Sequence, residues 1–138
     1  MTTTPQAPID VQVRALLESL GPVQARAARE LTESLVVLER VVNASQAAQA
    51  QVMVEMSRRA HADDLADTAH PDSAPLLVPG GTREEFVVDE IAMHLHCTRV
   101  AASYRFGTDL AAAEHPAVQA AWSAGSIDAR KVQIIGDG

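Results

Sequence analysis

Hydrophobic positions recur along this chain every third or fourth residue and never alternate with polar ones over a useful length, so the pattern predicts helix throughout. Ile9, Val13, Leu16, Leu17 and Leu20 share one face of a short first helix, which Gly21-Pro22 ends. From 23 to 60 the sequence holds neither Gly nor Pro. Alternating steps of three and four from Ala28 reach Leu31, Leu35, Leu38, Val42, Ser45, Gln49, Val52 and Met56, a heptad-like stripe with a polar break at Ser45 and Gln49. A helix of this length is roughly 55 Å long at about 1.5 Å per residue. It needs a partner to cover its stripe. Neighbouring helices of its own chain would serve, and so would a second copy packed as a coiled coil.

The segment 62–82 reads as a linker, with three prolines, two glycines and a cluster of acids at its start. Leu76, Leu77 and Val78 could dock locally. Thr82 followed by Glu85 forms a capping box ahead of Phe86-Val87. Helices are then predicted over 83–96, 99–113 and 116–124. Gly125 would stop the last of these, and Asp128 would cap one more. The expected architecture is all-α: a long N-terminal helix plus a C-terminal cluster of short helices containing a helix-turn-helix-like pair. Its parts are a disordered tail (1–8), a helical arm (9–61), a linker (62–82) and a helical cluster (83–138).

Composition sharpens this picture. Of 138 residues 47% are hydrophobic, which argues against wholesale disorder, and 25 are alanine, which favours helix. All four aromatics (Phe86, Tyr104, Phe106, Trp122) fall in the last third, so the first 80 residues can bury only aliphatic side chains. The net charge of −7 repels phosphate and argues against nonspecific binding to nucleic acid or anionic membranes. Cys97 is the single cysteine, so no internal disulfide framework is expected. With no signal-peptide pattern at the start and no apolar run of membrane-spanning length, the expected setting is cytoplasmic, without a membrane partner.

The candidate chemistry lies between Arg83 and Ala113. Helix, three-residue break and helix are the skeleton of a helix-turn-helix. Ile91 and Ala92 would face the second helix, Leu95 and Cys97 would flank the turn, and Thr98 would cap the second helix. Ala101 and Ala102 would allow close approach, and Phe106 would close the core. Exposed on the second helix would be Arg99, Ser103 and Arg105, the DNA-contact candidates, all types that reach phosphates or base edges. The same spacing also suits a plain packing hairpin. His96 occupies the turn position that favours glycine, and Gly107 in mid-helix suggests a close crossing. His94, His96, Cys97 and His115 lack the paired spacing of a zinc site, so no metal ligand is assigned. The carboxylates Asp63, Asp64 and Asp67, and Glu84, Glu85, Asp89 and Glu90, read as solvated acids or helix-start charges. No catalytic residue, cofactor or small-molecule substrate is expected.

The run Glu90-Ile91-Ala92…Leu95, then Val100-Ala101-Ala102…Leu110-Ala111, then His115-Pro116…Ala120-Ala121-Trp122…Gly125-Ser126-Ile127 resembles the actinobacterial 13E12 repeat family, domain of unknown function 222. His115 stands where that family usually has Leu, and Gly107 where it usually has Ala. The resemblance implies an all-helical, DNA-associated module that is not itself an enzyme. In that family such a module is often followed by an HNH endonuclease domain, and this chain is expected to end before one. The expected partner is double-stranded DNA, with self-association through the long helix. A helical interaction or dimerisation scaffold without DNA contact, or a degenerate gene fragment, is the alternative.

Overall fold

The computed structural model describes residues 8–69 and 83–138. Among them the fold is all-α, with six α-helices and no strand. The helices are α1 (Ile9–Ser19), α2 (Ala28–Ala69), α3 (Arg83–His94), α4 (Arg99–Glu114), α5 (Pro116–Ser123) and α6 (Ala129–Gly136), with a single 3-10 turn at Val23–Ala25. The chain divides into two units, Met1–Glu39 and Arg40–Gly138. No described helix is long and apolar enough to cross a membrane.

Local chemistry explains the ends of these helices. Gly21, at φ 67, follows α1 and takes the left-handed conformation that favours glycine. The expected helix from 23 does not run on unbroken. The 3-10 turn gives way to an extended Arg26, and α2 starts only at Ala28. Glu30 then reaches back to accept from the Ala27 backbone N–H at 3.2 Å, which is half of a capping box. At its other end α2 continues to Ala69, so 62–69 are helical where a linker was expected. The rest of the expected linker, with Leu76, Leu77, Val78 and the Thr82 cap, lies outside the described residues. Asp64 accepts from the Arg83 backbone N–H at 3.0 Å, so an acid read as linker charge satisfies an orphan donor in the first turn of α3.

The unit Arg40–Gly138 is built on two adjoining apolar clusters. In one, Ala47 and Ala50 of α2 meet Ala112 of α4, Trp122 of α5 and Val132 of α6. In the other, Met53 of α2 meets Val87, Ile91 and Ala92 of α3 and Ala102 of α4, with Phe106, Leu95 and Cys97 packed alongside. The second half of the long helix is therefore a core element of the cluster and not part of a separate arm. The buried stripe of α2 is Asn43, Ala47, Ala50, Met53 and Ser57. It lies one position away from the expected heptad stripe, whose Val42 and Val52 are exposed. Small side chains let Trp122 and the α4 backbone come close, and dense packing of one indole against alanines excludes the bulkier valines. The unit Met1–Glu39 is different. None of its described residues is buried.

Candidate DNA-contacting helix pair

The turn between α3 and α4 is held by two local devices, a Schellman motif and an N-cap, around one strained residue. His96 sits at φ 51, the left-handed region in which a residue other than glycine is strained. Around it the His96 N–H donates to the Met93 carbonyl at 3.3 Å and the Cys97 N–H to the Ala92 carbonyl at 3.0 Å. That pair of bonds is a Schellman motif, which satisfies the orphan carbonyls of α3. Two residues on, the Thr98 hydroxyl accepts from the Ala101 N–H at 3.1 Å and caps α4. Ala102, fully buried, lies in the contact between the two helices. The sequence therefore builds a helix-turn-helix-like pair, with His96 in the conformation its place in the pattern demands.

The three candidate contact residues do not act as one surface. Arg99 is exposed in the first turn of α4, and its Nε donates to Asp89 Oδ1 of α3 at 2.8 Å. Ser103 is exposed one turn later. Arg105 stands roughly 160° around the helix from Ser103. It is half-buried, and its guanidinium donates to Gln49 Oε1 of α2. The expectation that Arg105 is exposed alongside the other two is thus corrected. Helical periodicity turns it toward α2, while Val100 and Tyr104, 70% and 66% exposed, stand beside Ser103 on the outer face. This face offers phosphate one arginine, already paired with a carboxylate, among neutral and apolar side chains.

Gly107 also departs from expectation. No atom would lie within 4 Å of a Cβ placed there, so it marks no close crossing. The close approaches are at Gly125, against the backbone of Arg40, and at Gly136, against the Ala111 side chain. Sequence reasoning missed a further group. Asp109, on α4, is buried, and its Oδ2 has no hydrogen-bond partner. Burial pushes its carboxyl up to about 7, against the opposing pull of Arg105. The available signal was its spacing of three from both Phe106 and Ala112, which places it on the inward side of the helix.

Among the described residues no group of three or more His, Cys, Asp or Glu comes together in a way that could hold a metal ion. Compared with protein-family models, curated proteins and solved structures, the chain finds no match.

Proposed function

We propose that this chain is a non-catalytic helical module whose Met1–Glu39 unit assembles with the same unit of a second copy. One observation carries the reading: that unit leaves its apolar side chains uncovered. Val11, Val13, Leu16 and Leu17 of α1 are each about half exposed, and Leu35, Val36 and Val37 of α2 are 68%, 49% and 51% exposed. Exposed apolar residues scattered singly need no explanation, but a helical segment that buries nothing cannot hold its fold by packing alone. The heptad spacing of Leu31, Leu35 and Leu38 makes a second copy the fitting partner, because such a stripe packs on a copy of itself. Sedimentation of the full chain should show a mass that rises with concentration. Leu31→Glu with Leu35→Glu should hold the chain monomeric, with the melting of the Arg40–Gly138 unit unchanged within about 0.5 kcal/mol, as for other exposed substitutions. A single monomeric species at every concentration would refute the reading.

A second reading, association with double-stranded DNA through α3 and α4, is supported by the capped turn at His96 and by the resemblance to the 13E12 repeat family. The two readings are compatible, since helix-turn-helix modules commonly bind as dimers. On this reading Arg99→Ala weakens duplex binding and lowers the salt slope by about 1, as for loss of one phosphate contact. Arg105→Ala has the smaller effect, because that side chain turns toward α2 and away from the outer face that carries Ser103. Duplex affinity left unchanged by Arg99→Ala would sink the DNA reading while leaving assembly untouched.

A further inference from the structure

Two buried polar atoms of the Arg40–Gly138 unit lack a hydrogen-bond partner, Asp109 Oδ2 and Trp122 Nε1. Asp109 is 5% exposed and Trp122 is 2% exposed. Each such group costs about 1–3 kcal/mol if it stays unmet, and native folds keep few of them without a reason. Both side chains line one cleft of ≈ 830 Å³ between α2, α4, α5 and α6, but the two atoms themselves are covered and meet a ligand there only when neighbouring side chains move aside. That volume lies within the ~300–1,000 Å³ range of small-molecule sites. Ala50, Met53 and Tyr104 give the cleft apolar and aromatic walls, and Arg105 and Arg130 line it too. Two cations in one cleft are notable in a chain of net charge −7.

The donor and the acceptor left unmet are complementary to a lactam or carboxamide edge, which offers a C=O beside an N–H. The two guanidinium groups are complementary to an anion, and Arg binds phosphate in planar, forked geometry. We propose that this cleft binds a small nucleotide-like anion. Its ring carbonyl accepts from Trp122 Nε1, its ring N–H donates to Asp109 Oδ2, and Arg105 and Arg130 hold its phosphate. Arg105 and Gln49, bonded to each other and both in the lining, are the long side chains whose displacement admits the ring. The proposal is independent of assembly and of duplex binding.

Trp122 is the single tryptophan, so its fluorescence reports directly on the cleft. The experiment is a titration of the full chain with uridine monophosphate, guanosine monophosphate, uridine and inorganic phosphate. One or both nucleotides should give a saturable change, uridine a response about 10-fold weaker, and phosphate alone no saturation below about 10 mM. Asp109→Asn, checked for helicity by circular dichroism, should weaken nucleotide binding about 10-fold through loss of a charge-assisted hydrogen bond. Arg130→Ala, on the exposed side of α6, should bring nucleotide affinity down to that of uridine. The proposal is overturned by no saturable change with either nucleotide, by phosphate binding as tightly as the nucleotides, or by Asp109→Asn binding them unchanged.

Discussion

Gly125→Ala should destabilise the Arg40–Gly138 unit by about 3 kcal/mol, a loss made of three separate terms. Gly125 sits at φ 76, the left-handed conformation, which costs a residue with a Cβ about 1–2 kcal/mol. It is also the helix-terminating position of α5: its N–H donates to the Trp122 carbonyl at 2.9 Å, and the following Ser126 N–H donates to Ala121 at 2.9 Å. An alanine Cβ would lie 2.5 Å from the Arg40 carbonyl oxygen and 3.0 Å from its Cα. That obstacle is helix backbone, which cannot swing aside as a side chain would. To relieve it, the α5 turn has to lift from α2, which stretches the buried Asn43 Nδ2 donation to the Gly125 carbonyl, now 3.4 Å. It also loosens Trp122, the largest fully buried side chain, from Ala47 and Ala50. A thermal melt should show a fall of roughly 10 °C or more, at about 4–8 °C per kcal/mol for a unit of this size. Gly107→Ala is the matched control. It has open space around its Cβ and a helical neighbourhood, so it should gain up to about 1 kcal/mol. Equal melting temperatures for the two variants would refute the close-approach argument.

The contrast between these glycines shows which parts of the fold were legible in the sequence. Capping and turn chemistry act within four residues, so Thr98, His96, Gly125 and Asp128 could each be assigned from their neighbours. The Asp128 side chain indeed accepts from the Lys131 N–H at 2.8 Å. Gly107 in mid-helix and Gly136 at the end of α6 carry no such local signature, and the two could be told apart only by what lies across from them. The register of α2 was misread for a related reason. A hydrophobic stripe is sought among large side chains, yet this core is closed by alanines under Trp122, so the packed face is the one with the smaller residues. The same misreading hid the site. With Arg105 placed on an outer face, nothing suggested that it, Gln49 and Asp109 line one cleft.

Asp109→Asn should stabilise the protein at neutral and higher pH and remove most of its stability loss between pH 4 and 7. The side chain is buried, sharing the lining of a small cavity with Ala50, Ala112 and Trp122, and desolvation disfavours the charged form. The carboxyl moves from an ordinary value of 3.8 up to about 7. In the unfolded chain it titrates near its ordinary value. Between the two values the native state holds a proton that the unfolded state has released, so stability falls as pH rises. Below pH 4 both states are protonated and the term vanishes; above pH 7 both are ionised and the loss is complete. Moving from 3.8 to about 7 corresponds to a loss of at most about 4 kcal/mol. Arg105 already offsets part of the cost of the charge. Asparagine keeps the shape and never ionises, but it leaves a buried amide short of a partner, which reduces the gain to about 2 kcal/mol at pH 8. Urea denaturation at pH 4.5, 6 and 8 measures the effect. The wild-type chain should lose stability along that series, and the variant should be nearly flat. The curves should cross, with wild type the more stable only at the acid end. Parallel pH profiles for the two proteins would mean that Asp109 ionises freely in the native state, and would remove it from the buried floor of the cleft.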